Sequence, residues 1–74
     1  MTLGELFFFK EDTPYLWEYN GMKKLVGITK IHCDIAISVY VWGQKSLCWS
    51  TTCECIKREA NLKERLQYPE GYIV

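Results

Sequence analysis

The run Ile35-Ala-Ile-Ser-Val-Tyr-Val-Trp42 constrains the fold more than any other part of this chain. Side chains of a strand alternate between faces, so Ile35, Ile37, Val39 and Val41 line one side. Ala36, Ser38, Tyr40 and Trp42 line the other. The first set is entirely β-branched, and such residues pack well on a pleated surface while losing χ1 freedom in a helix. A strand of this kind cannot stand alone, so the flanking sequence has to supply its neighbours.

It offers several. Leu3–Lys10 reads as a first strand, rich in aromatics and ended by Glu11-Asp12-Thr13-Pro14, where proline fixes φ and removes a donor. Tyr15–Tyr19 is a short extended piece. Asn20-Gly21 follows it, a dipeptide suited to a tight type I′ turn. Leu25–Ile31 reads as a second long strand, with Gly27 a candidate bulge or bend. Gly43-Gln44-Lys45 turns the chain after Trp42, and Leu47-Cys48-Trp49 opens another strand. From Lys57 the character changes to helix formers, with Leu62 and Leu66 spaced to cap the open end of a barrel. Pro69-Glu70-Gly71 stops that helix ahead of the apolar tail Tyr72-Ile73-Val74.

Seventy-four residues make one domain, residues 1–74. A core of this size supplies roughly 3–5 kcal/mol. Aromatic content compensates: three Trp, five Tyr and three Phe are a large apolar payload for so short a chain. The expected architecture is mainly β, a strongly bent small barrel of four to five strands over residues 2–57. A short C-terminal α-helix at 58–67 and a tail at 68–74 complete it.

Nine basic residues balance nine acidic ones, which is no footprint for phosphate binding and leans toward a protein partner. The start MTLGELFFFKED has no basic region before its apolar run, so no secretory signal is expected. Ile35–Trp42 falls far short of the ~20 residues that span a bilayer. A protein of the cytoplasm, away from membranes, is expected.

Three of the four cysteines lie within Cys48-Trp-Ser-Thr-Thr-Cys-Glu-Cys55, the fourth being Cys33. Zinc modules pair their ligands as C-x₂₋₄-C, and only Cys48 and Cys53 fit that spacing loosely. Cys53 and Cys55 in a strand would sit ~7 Å apart on one face, too far for an easy disulfide. The cluster reads as core packing, with no metal and no cofactor expected, and Cys48 as its one open thiol. His32 is the only histidine and has no nucleophile in recognisable motif context, so no catalytic residues are expected.

The aromatics carry the functional signal. Tyr15, Trp17 and Tyr19 alternate and would form a stripe, and Trp42 ends the strongest strand. These four, with Tyr72 and Ile73 as a tail anchor, are the candidate partner-binding residues. Lys23, Lys24 and Lys30 would join the same aromatics if the partner were a nucleic acid.

Leu3-Gly4-Glu5-Leu6 resembles the x-G-D/E-L-V opening of SH3-like small β-barrels, a group that includes short proteins of tailed bacteriophages. Leu25-Val26-Gly27-Ile28 resembles their G-[IVL]-V strand, and Val39-Tyr40-Val41-Trp42 their strand ending in V-x-W. Trp49–Ile56 would be the last element. The resemblance implies a non-enzymatic protein-interaction module, either a small tailed-phage virion component or a host-interacting accessory protein. Its partners would be another protein or neighbouring subunits of an assembly; a nucleic-acid-binding barrel is the alternative.

Overall fold

A computed structural model describes residues 1–73. Five antiparallel strands form one sheet in the order β4-β3-β2-β1-β5: β1 Tyr15–Tyr19, β2 Met22–Cys33, β3 Ala36–Val41, β4 Gln44–Thr51 and β5 Ile56–Glu59. Two short helices, α1 at Leu3–Leu6 and α2 at Leu62–Gln67, flank them. The chain is mainly β with a short C-terminal helix, and β4 and β5 do not pair, so the sheet is not closed.

Register explains the shape. β1 pairs with β2 from Met22 to Val26, and β3 pairs with β2 from Val26 to Cys33. The long strand is thus shared head to tail by two three-stranded halves that overlap at Val26. Two register shifts in the β2–β3 ladder, between Ile28 and Lys30 and between Ile31 and Cys33, add bend and twist. In a flat sheet β1 and β4 would lie about 14 Å apart. Instead the Trp17 indole Nε1 donates to Thr51 Oγ1 at 2.9 Å. The rings of Trp17 and Trp49 meet edge to face at 5.5 Å. One half therefore folds onto the other. The link from β4 to β5, Thr52 and a 3-10 turn at Cys53–Cys55, is short enough only because the two outer strands have been brought together.

The core lies between the halves: Tyr15, Trp17, Val26, Ile28, Ile37, Val39, Cys55 and Ile56, closed by Leu6 of α1. On the outer face a second cluster of Leu16, Leu25 and Ala60 is covered by Trp42, Tyr68 and Ile73. The first three residues of β1, Tyr15, Leu16 and Trp17, are consequently buried on both sides.

Local chemistry matches several expectations. Asn20 and Gly21 both take positive φ, 49° and 77°, as a type I′ turn requires. Ile37, Val39 and Val41 are buried together. Other expectations fail for identifiable reasons. Leu3–Lys10 is not a strand, because Thr2 and Glu5 form a reciprocal capping box that starts α1. Ile35 is exposed because the β2–β3 turn leaves it outside the ladder. The segment Trp49–Ile56 is not one strand but the end of β4, the 3-10 turn and the start of β5. The C-terminal helix begins at Leu62 rather than residue 58, because Asn61 caps it and Ile56–Glu59 pairs with β1. Leu62 and Leu66 cover nothing; they are 69% and 74% exposed.

Glu64 completes the second capping box and takes a two-pronged contact from Arg58 at 2.6 and 3.0 Å. The Arg58 hydrogen bonds, outweighing partial burial, hold the Glu64 carboxyl below its ordinary value of 4.5. A carboxylate depressed in the fold contributes stability above its unfolded pKa, and loses it as pH falls through the folded pKa. Thermal melting across an acid titration is therefore expected to show Tm falling below pH 4.5. Glu64→Gln flattens that part of the curve; an unchanged acid limb would remove this tie.

Candidate functional site

The β1–β2 hairpin pairs Trp17 with Lys24 and Tyr19 with Met22, which puts the four side chains on one face. The C-terminal tail adds a fifth. Leu25 N donates to Gly71 O at 2.7 Å, and Tyr72 forms an isolated antiparallel bridge with Lys24. Gly71 permits this approach: its φ is 82°, and a β-carbon there would stand 2.9 Å from the carbonyl oxygens of Leu25 and Trp42.

Lys24 is the centre of the arrangement. Its Nζ lies 5.5 Å from the ring centre of Trp17, 5.3 Å from Trp49 and 5.7 Å from Tyr72. The negative faces of aromatic rings attract a cation at this range, with about 0.5–2 kcal/mol per contact depending on desolvation. Among the described residues Lys24 enters no ion pair. The site thus presents an ammonium framed by rings, with its charge-assisted hydrogen bonds unused by any carboxylate of the described residues. Met22, Lys23, Lys24, Tyr72 and Ile73 line an adjoining groove of about 490 Å³.

The six candidate partner-binding residues divide into three pairs. Tyr15 and Trp17 do form a stripe, but it points inward; they are 2% and 6% exposed. The Tyr15 hydroxyl accepts from Lys10 N at 2.9 Å and is part of the core's polar rim. Trp42 and Ile73 are half-buried against the outer cluster, so the tail anchors on its own sheet at Ile73. Tyr19 and Tyr72 are 53% and 45% exposed and flank the Lys24 site. The three lysines do not converge. Lys23 alternates to the opposite face of β2 from Lys24, and Lys30 lies in the half of β2 that pairs with β3.

Lys24 owes its place to the turn. A two-residue loop at Asn20-Gly21 forces Tyr19 opposite Met22, hence Trp17 opposite Lys24, a pairing readable from the sequence once the turn type is accepted. Trp49 reaches the site only through the fold.

A second concavity, about 470 Å³, lies between the Glu11–Asp12 turn and the sheet, with Thr29, Ser38, Tyr40, Lys45 and Cys48 on its walls. Lys45 Nζ is 3.6 Å from Asp12 and 5.8 Å from the Tyr40 ring centre. Burial pushes the Tyr40 phenol above its ordinary value; nearby Lys45 opposes that and Asp12 adds to it. The phenol therefore stays protonated at neutral pH. His32 Nε2, near the end of β2, is 3.4 Å from Ser38 Oγ of β3; His32 is exposed and Ser38 half-buried, and no carboxylate orients the imidazole among the described residues.

All four cysteines are free thiols. Cys55 is buried in the core and Cys53 packs half-buried against it, whereas Cys33 and Cys48 are exposed. Among the described residues no three His, Cys, Asp or Glu side chains converge as metal ligands, and no helix is long and apolar enough to cross a membrane. Comparison with protein families, characterised proteins and solved structures finds no match to this chain.

Proposed function

We propose that the chain is a non-enzymatic protein-interaction module, an SH3-like small barrel left partly open. Its ring-framed Lys24 receives a short acidic–apolar segment of a partner protein. The observation that carries this reading is the Lys24 ammonium framed by Trp17, Trp49 and Tyr72 with no counter-ion among the described residues. A partner carboxylate completes the charge, while an adjacent aromatic or aliphatic side chain lies on the exposed Tyr19, Met22 and Tyr72. The barrel description is supported by the folding of one half-sheet onto the other and by the short link between its outer strands. The tailed-phage setting, as virion component or host-interacting accessory protein made in the cytoplasm, rests on the motif resemblance alone.

Selection from a random displayed-peptide library tests the binding reading. The enriched sequences are expected to place Asp, Glu or a free C-terminal carboxylate beside Leu, Phe, Tyr or Trp. Lys24→Ala and Tyr72→Ala should each weaken the selected peptide about tenfold. A basic consensus, no consensus, or binding indifferent to both substitutions sinks the proposal.

Nucleic-acid binding is the weaker alternative, because Lys23, Lys24 and Lys30 are spread over two faces and both halves of β2. It predicts binding to single-stranded oligonucleotides at low salt, falling about one log unit per phosphate contact per decade of salt.

A further inference from the structure

The concavity beside the Glu11–Asp12 turn falls within the roughly 300–1,000 Å³ range of small-ligand pockets. An irregularity of β4 builds one of its walls. The β3–β4 ladder passes from Tyr40 opposite Cys48 to Val41 opposite Gln44, so Lys45, Ser46 and Leu47 stand opposite no residue of β3. Bulges re-aim side chains, and here Lys45 reaches both the Tyr40 ring and Asp12. Tyr40 is only 5% exposed, yet its hydroxyl has no hydrogen-bond partner among the described residues. The neighbouring hydroxyls are in use. Thr29 Oγ1 donates to the Ser38 carbonyl at 3.1 Å, and Ser38 Oγ meets His32 Nε2 at 3.4 Å. Among the described residues every fully enclosed side-chain polar atom is paired. The unpaired Tyr40 hydroxyl therefore opens to space, and the concavity is the space that Tyr40 lines. Gly27 leaves room for it, since a β-carbon there would overlap that end of the side chain.

We infer that this concavity binds a small aromatic amine, its ring against Ile28, Trp49 and Tyr40 and its ammonium at the Glu11–Asp12 rim. The charge of the walls decides the sign of the ligand. Two carboxylates, Glu11 and Asp12, against one ammonium, Lys45, leave one negative charge. Lys45 is committed to Asp12 at 3.6 Å, whereas Glu11 enters no ion pair among the described residues. An anion would lie beside that unpaired carboxylate; an ammonium gives it a partner. The chain itself supplies a precedent. The Lys45 ammonium, 5.8 Å from the Tyr40 ring centre and beside Asp12, is a primary amine seated between this rim and this ring. Tyr40, kept a neutral phenol by its burial, can donate or accept. A single polar atom in the ligand's ring system, such as an indole N–H, satisfies it. Apolar walls with a few convergent polar groups are the usual make-up of a site for a molecule of this kind.

Tryptamine is the probe, with indolepropionate as an anion of similar shape. Amide NMR of the isotope-labelled full chain, titrated with tryptamine, is expected to show saturable shifts centred on Thr29, Ser38, Tyr40, Lys45 and Cys48. Indolepropionate should bind about fivefold more weakly or worse. Bound tryptamine should also slow alkylation of Cys48 by iodoacetamide, while Cys33, exposed outside the concavity, reacts at its unliganded rate. Glu11→Gln and Tyr40→Phe should each weaken tryptamine about threefold or more. Glu11 is exposed, and the Tyr40 hydroxyl bonds to no described residue, so both variants are expected to keep the wild-type Tm. The absence of saturable shifts overturns the inference. So does an anion that binds as well as the amine, affinity unmoved by both substitutions, or a Cys48 left unprotected. Neither substitution alters the Lys24 site, so peptide selection there stands or falls separately.

Discussion

A Gly27→Ala variant is expected to lose about 2–3 kcal/mol of stability, because one methyl group enters space already filled. The β-carbon would overlap the outer end of the Tyr40 side chain, at Cζ, Cε1 and the hydroxyl, which packs on Gly27 from the neighbouring strand. The ring cannot step aside without cost: Tyr40 is buried and stacks on Trp42 at 6.4 Å. Against a total of roughly 3–5 kcal/mol, such a loss moves the chain to the edge of unfolding. It should appear as a Tm fall of roughly 10 °C or more. Gly4→Ala is the matched control. Nothing lies within 4 Å of a β-carbon there, and alanine favours the helix it sits in, so stability should hold or rise. Combining Gly27→Ala with Tyr40→Ala should cost less than the sum of the two, since the clash and the lost ring are one event. Strict additivity would mean that Tyr40 is not what makes glycine necessary.

Trp17→Ala is expected to cost about 3–5 kcal/mol, as large as the whole stability of a domain this size. Its ring fills the space between the two half-sheets and its indole hydrogen bond ties β1 to the end of β4. Trp17→Phe keeps most of the ring but leaves the Thr51 hydroxyl without its donor, for about 1–3 kcal/mol. Two residues along the same strand, Tyr19→Ala should change stability by less than about 1 kcal/mol. It should still weaken the selected peptide. Denaturant titration alongside peptide binding separates the two roles. If Tyr19→Ala unfolds the protein, or Trp17→Ala spares it, the division between inward and outward rings is wrong.

That contrast shows how far the sequence could be read. The alternation Tyr15-Leu-Trp-Glu-Tyr19 correctly places three rings on one face, and Asn20-Gly21 fixes which residues stand opposite them. Neither says whether the face is inside or outside. The sign is decided by tertiary contacts: Trp49 and Thr51 of β4 meet Trp17, and Tyr15 joins the same core cluster, while Tyr19 stays exposed. Similarly, Thr2-x-x-Glu5 and Asn61-x-x-Glu64 are legible helix starts, and both correct a boundary that apolar content alone misplaces.

What the amino-acid sequence determines by itself is local: the alternating core strand Ile37–Val41, the type I′ turn, the two capping boxes and cysteines that pack at Cys53 and Cys55. Each depends on contacts within a few residues, where steric and hydrogen-bonding preferences act directly. Only the tertiary structure decides the rest. It brings Trp49 and Tyr72 to Lys24 across long stretches of chain, and lays Tyr40 on Gly27. It also sets β4 and β5 at the two edges of the sheet. Those outcomes follow from how two half-sheets sharing β2 fold together, and no local pattern encodes which surfaces that folding hides.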